Sequence, residues 1–183
     1  MKLKIKIKRF KNEKGEPLVS LPKIIKKGDW VDLMAAKECV LQAPQTGPLK
    51  TEDAIKYREV ISDVTYIPLG VAMKLPEGYE AIIASRSSAA KKMGVMLANG
   101  IGIVDNSYQG DEDQWMYPAM ALRKTSIAQN TRLCQFRIQL SQKSTMWQKI
   151  KWLFTSGIEL VEVDSLDGEN RSGLGSTGTT SFK

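Results

Sequence analysis

The chain opens on a strict alternation in which Leu3, Ile5 and Ile7 are separated by Lys4, Lys6 and Lys8. A period of two puts the apolar side chains on one face, which predicts a half-buried strand with a lysine outer face that suits a sheet edge. Short apolar runs divided by turn signals continue down the chain. WVDLMAA, Cys39 to Leu41, VTYIPLGVAMKL, EAIIAS after the turn LPEGYE, both flanks of Asn99-Gly100, WMYPAMAL and RLCQFRIQL all read as strands. Asn-Gly between apolar flanks predicts a tight hairpin. Between these runs QAPQTGPLK is loop-like, with two prolines and a glycine. TEDAIKYREVI predicts a helix: Thr51 caps, Glu52 and Asp53 fill the first turn, and Ala54, Tyr57 and Ile61 follow at helical spacing. STMWQKIKWLF predicts a second small helix, with Trp147, Ile150, Leu153 and Phe154 near the face packed on the body. So many short strands predict an all-β barrel or sandwich with helical excursions.

Composition narrows the class. At 183 residues and 42% hydrophobic, the chain fits one compact soluble domain. No stretch approaches the roughly 20 apolar residues that span a bilayer, and the lysine-rich start has no apolar run of a secretory signal. Cys39 and Cys134 have no metal-like spacing and are expected as buried, reduced thiols. The chain has no histidine, which excludes Ser-His-Asp and Cys-His catalysis and removes the commonest transition-metal ligand. Chemistry must then come from carboxylates, hydroxyls, arginine and lysine, with a hard cation such as magnesium as the compatible metal. The net charge of +7 suits a nucleic acid or a small, highly charged anion. The basic residues are spread rather than set beside aromatics, and charge alone leaves that choice open.

Three stretches carry candidate chemistry. In ASRSSAAKK, Arg86, Ser87 and Ser88 lie where a strand gives way to a helix, so amides, hydroxyls and a forked guanidinium can meet an anion. A plain serine cap with a surface arginine fits that motif as well. In GIGIVDNSYQGD, Asp105 follows an apolar strand and precedes a polar turn, so it reads as a general base for water or as a turn-former. Asn99 can read a base edge or simply make its turn. The tail RSGLGSTGTTSFK has little apolar surface, and reads as a frayed end or as a glycine loop that orders on phosphate. No GxxxxGK[ST] is present, so a P-loop is excluded, and the tail glycines do not open a helix after a strand, which argues against a dinucleotide fold.

Taken in order, GDWVDLMAA, SRSSAAKKMG, NGIGIVDNSYQG, TRLCQF and RSGLGSTG resemble the five motifs of the homotrimeric dUTP pyrophosphatases (dUTPases), over Gly28 to Gly178. The first and last are closest to bacterial and phage forms. The resemblance implies a jelly-roll-like β-barrel over 1–168, a mobile C-terminal arm over 169–183, and three shared active sites in a homotrimer. It implies hydrolysis of dUTP to dUMP and pyrophosphate with Mg2+, in the cytoplasm of a bacterial or phage-infected host. That reaction keeps uracil out of DNA and supplies dUMP for thymidylate synthesis. Asp105 then matches the water-activating aspartate, and Tyr108 the residue packed on deoxyribose. Asn99 and Gly102 lie in the uracil-reading hairpin. Arg86, Ser87, Ser88 and Gln135 match phosphate contacts, and Asp32 the holder of the magnesium's water shell. Arg171 would clamp phosphate, while Gly173, Gly175, Ser176, Thr177 and Gly178 would wrap it from an arm crossing to a neighbouring subunit.

The chain also departs from the family pattern. Leu174 stands where many members have a uracil-stacking phenylalanine, which leaves Trp115, Tyr117 or Phe182 as the substitute, Trp115 first. WVDL replaces the usual AGYDL. Segments 43–57 and 141–157 resemble insertions outside the barrel, available for trimer contacts or an unknown protein partner. A dCTP deaminase shares the fold and an SRSS-like segment, and a regulatory protein of the same fold acting through a partner is a further alternative.

Overall fold

The computed structural model describes residues 1–25 and 28–171. Its elements are mostly strands, in keeping with the period-two patterning. In chain order they are β1 (Leu3–Arg9), β2 (Val31–Met34), β3 (Cys39–Leu41), β4 (Gln45–Glu52), β5 (Ile55–Ile61), β6 (Val64–Pro68) and β7 (Val71–Lys74). There follow β8 (Tyr79–Ser85), a single π-helical turn (Ala89–Met93), β9 (Val95–Leu97), β10 (Gly102–Val104) and β11 (Met116–Ala121). The chain continues with β12 (Thr125–Ile127), β13 (Arg132–Leu140), α1 (Met146–Leu153) and β14 (Ile158–Glu162).

The strands form a jelly-roll-like β fold of separate, unclosed sheets wrapped around one core. Three of them enclose it, ordered β14-β1-β7, β10-β8-β13-β2 and β6-β11-β9. Leu3, Ile5 and Ile7 are buried as their alternation requires. Their strand is central, however: β1 pairs in parallel with β14 and antiparallel with β7. The lysine face is therefore no edge guard. Lys6 and Lys8 instead pair with Asp167 and Asp111 of the loops above them.

Three local expectations are corrected. Residues 51–61 are no helix and 45–50 are no loop; β4 and β5 form an antiparallel ribbon whose tip, Asp53-Ala54, has φ of 48° and 62°. Two successive left-handed residues belong to a twisted hairpin tip, and Ile55, Tyr57 and Ile61 alternate with Lys56, Arg58 and Val60 across it. Asn99-Gly100 does form a turn, with Gly100 at φ 70°. It joins no hairpin, because β9 pairs with β11 while β10 pairs with β8. The helix over 146–153 is present, closed by a Thr145/Gln148 capping box. Its apolar face is turned outward, with Trp147 79% exposed and Leu153 and Phe154 also open. Trp152 is the anchor, tilted against Tyr79 at 5.5 Å between ring centroids.

Candidate functional site

The splaying of β9 and β10 into different sheets opens a gap between them. That gap is a cavity of about 460 Å³, walled by Val64, Tyr66, Met116 and Pro118 on one side and Asn99, Gly102 and Asp105 on the other. Tyr108 and Arg171 also reach it. Gly102 is needed for the narrow spacing, since a Cβ there would lie 3.2 Å from that of Ile83.

Asp105 sits at the first position past β10 and is itself a turn-former: its carboxylate accepts the Ser107 N–H at 2.8 Å and the Ser107 hydroxyl. The turn-forming reading of this residue therefore holds. The Arg171 guanidinium lies 3.5 Å from the carboxylate and donates to Ser107 Oγ at 2.6 Å. The Ser107 hydroxyl above all, then its amide and Arg171, hold the Asp105 carboxyl below the usual range against partial burial, so it is ionised at neutral pH. Tyr108 backs the cavity with its hydroxyl donating to the Gln114 carbonyl at 3.0 Å.

Arg171 arrives there along a strap laid over the 109–113 turn. Leu166 is buried and its N–H donates to Asp111 at 2.7 Å. Side chains at Gly110 or Gly168 would collide with Asn170 or Gln109, so glycine permits the close approach. Asp113, only 2% exposed, accepts the Gly110 N–H at 2.8 Å and the Arg171 N–H at 3.0 Å. It is a positioning residue that the sequence reading passed over. Its only signal was an acid set in GDEDQW directly before an apolar strand.

A second polar cluster lies on the other flank of the β10-β8-β13-β2 sheet. Asp32 on β2 receives Arg86 Nε at 2.9 Å and Arg132 Nη1 at 3.3 Å. Gln135 is its cross-strand partner. Arg132, visible in TRLCQF, was also missed. Ser87 and Ser88 stand beside Arg86 at the π turn, where Ser88 makes no side-chain cap bond. The cap reading of these serines is thereby set aside for Ser88. Among the described residues no group of three acidic, cysteine or histidine side chains could cage a metal. One carboxylate between two arginines leaves a net positive cluster, which suits an anion such as phosphate.

The two clusters are not neighbours within one chain. β10 and β2 are the outer strands, three spacings apart, and Val104 aligns with Ala81 whereas Asp32 aligns through Gln135 with Ala84. Spacings of about 4.8 Å between strands and 3.3 Å along them put the clusters on the order of 15–20 Å apart.

The aromatic assignments are corrected in part. Tyr117 is fully buried, its hydroxyl 2.6 Å from Ser85 Oγ, and burial pushes its pKa up to about 12. Trp115 is 1% exposed and packs edge-on against Phe136 at 5.4 Å, so it belongs to the cavity floor and presents no free ring face. Gly173, Gly175, Ser176, Thr177, Gly178 and Phe182 lie outside the described residues.

Residues 52–149 match the family model described as dUTPase. The chain is 40% identical over 155 residues to the SPbeta prophage-derived deoxyuridine 5'-triphosphate nucleotidohydrolase YosS of Bacillus subtilis (strain 168), covering 85% of this chain and 87% of the relative. Identity to the Rickettsia typhi deoxyuridine 5'-triphosphate nucleotidohydrolase is 29% over 177 residues, or 96% of this chain and 97% of that one. Among solved structures, a mutant dUTPase of phage phi11 of S. aureus, which shows coordination of a structural Mg(II) ion, superposes with a TM-score of 0.56 at 16% identity. That match covers 78% of this chain and 94% of the other. Streptococcus mutans dUTPase gives a TM-score of 0.54 at 18% identity, over 68% and 88%. With its fold, its ordered motifs and more than half its length matched, the chain belongs to the dUTPase family.

Proposed function

We propose that this protein hydrolyses dUTP to dUMP and pyrophosphate, with Asp105 as the base. The observation that carries the reading is an ionised carboxylate on the wall of a cavity that also presents Asn99, Gly102 and Tyr108, in a chain of this family. Asp105 orients a water toward the α-phosphorus and takes its proton as the new P–O bond forms. The bond from that phosphorus to the bridging oxygen breaks, and pyrophosphate leaves with the electron pair.

Arg171 links binding to basicity. It pairs with Asp105, and an incoming phosphate competes for the same guanidinium. Drawing Arg171 away removes one of the influences that keep Asp105 a weak base. The carboxylate thereby becomes a better proton acceptor only when substrate is present.

Asp32, Arg86, Arg132 and Gln135 form a phosphate-binding surface that lies too far away to serve the same chain's Asp105. A second copy that brings this cluster to the cavity mouth completes the site, which supports the homotrimer with shared sites. Magnesium fits as a cation carried by the triphosphate, with Asp32 holding its water shell, and it would neutralise charge on the phosphates. Residues past Arg171 supply further phosphate contacts. The setting is the free nucleotide pool of a bacterial or phage-infected cytoplasm.

The test is product identification after mixing the protein with dUTP and magnesium, with dCTP in parallel and Asp105→Asn as control. dUMP and pyrophosphate from dUTP alone, lost in the variant, support the reading. Deamination of dCTP would replace it with the deaminase chemistry, and inertness toward both would point to a binding role.

A further inference from the structure

We propose that Tyr66 is the side chain against which the pyrimidine ring of the substrate lies, and so a binding residue of this cavity. The inference rests on the dUTP-hydrolysing reading above and names a contact that none of the five motifs contains.

Strand β6 alternates between two environments. Ile67 is fully buried, so its neighbour Tyr66 must point to the opposite face, and that face is the cavity. Tyr66 stands directly across from Pro118 on β11, and Met116 and Val64 flank the pair on the same side. Together they make an apolar wall facing Asn99, Gly102 and Asp105. A pyrimidine entering the cavity turns its edge to the polar wall, where hydrogen bonds are available. One ring face is then left to lose water against the apolar wall.

The cavity offers three aromatic rings, and only one is free. Trp115 is sealed into the floor, and Tyr108 is held by its hydroxyl on the Gln114 carbonyl. Tyr66 is 48% exposed, and among the described residues its hydroxyl makes no hydrogen bond. Its ring therefore turns onto a ligand without breaking an existing contact. With only two side-chain torsions to fix, it loses little entropy in doing so. Tyr66 also takes up the stacking role left open by Leu174, Trp115 and Tyr117.

The experiment compares wild type, Tyr66→Phe and Tyr66→Ala in dUTP hydrolysis and in calorimetric binding of a non-hydrolysable dUTP analogue. Oligomeric state is followed by sedimentation. Stacking of a base on an aromatic ring is large enough that Tyr66→Ala should raise KM and Kd about tenfold. Its kcat should stay within about twofold, because the contact is equal in ground and transition states. Tyr66→Phe keeps the ring and should match wild type. An unchanged Kd in the alanine variant would overturn the proposal, as would a phenylalanine variant no better than alanine. So would loss of assembly in the alanine variant, which would assign the ring to a subunit interface. A wild-type protein that binds the analogue but leaves dUTP intact would instead refute the hydrolase reading, and the binding comparison would still judge Tyr66.

Discussion

Asp113 offers the sharpest test of how this fold serves its site. Substituting alanine removes the acceptor for two backbone donors, the Gly110 N–H and the Arg171 N–H. The Gly110 N–H is buried, and a buried donor left without a partner costs about 1–3 kcal/mol. The Arg171 N–H is partly buried and regains some water, so it adds about 1 kcal/mol. The sum is about 2–4 kcal/mol, unless the strap over 164–171 lets go first and caps the loss at its own release energy. For a chain of this length the melting midpoint should fall by about 4–16 °C, at fixed protein concentration because assembly contributes to apparent stability. Hydrolysis should fall as well, since Arg171 loses its anchor beside Asp105, while a change confined to folding would leave the surviving folded fraction fully active. The assay is thermal denaturation paired with kcat at a temperature where both forms are folded. A midpoint within 1–2 °C of wild type together with unchanged kcat would refute the positioning role.

Other consequences follow from particular contacts. The folded-state pKa of Asp105 is lowered, so its charged form persists to more acid pH than an ordinary carboxylate. Ser107→Ala, by removing the largest cause, should move the acid limb of the kcat/KM profile upward, and an unmoved limb would show that Ser107 does not tune the base. Cys39 and Cys134 are buried, and burial pushes both thiols up, so neither should react with a thiol reagent at neutral pH until denaturant is added. Trp152→Ala removes the stack on Tyr79 that pins α1. It should cost about 1–2 kcal/mol in a chemical melt and leave dUTP turnover unchanged, and a lost turnover would tie α1 to the active site.

Much of the fold was legible because strand patterning is local. β1, β8, β11 and β13 carry alternations or apolar runs bounded by turn residues, and each appears where the pattern puts it. The failures share a cause. In TEDAIKYREVI, Ala54, Tyr57 and Ile61 satisfy a helix while Ile55, Tyr57 and Ile61 satisfy a strand, and a short segment cannot choose between periods. Around Asn99-Gly100 the turn was correct, but pairing with β8 and β11 outweighed the local hairpin. In α1 the helical periodicity was visible, yet only the packed structure shows which face meets the body.

The sequence by itself determined the chemistry available: no histidine, carboxylates and arginines in ordered motifs, and a β-rich chain. Those are properties of residue type and short-range spacing, and they survive any arrangement of the strands. Tertiary structure decided which groups meet. Tyr66 and Arg171 are distant in the chain from Asp105, and they reach one cavity because β6 and the strap, anchored on buried Asp113, converge there. It also separated Asp32 from Asp105 by setting β2 and β10 at opposite edges of one sheet. Convergence of this kind depends on long-range pairing and register, which no local pattern encodes.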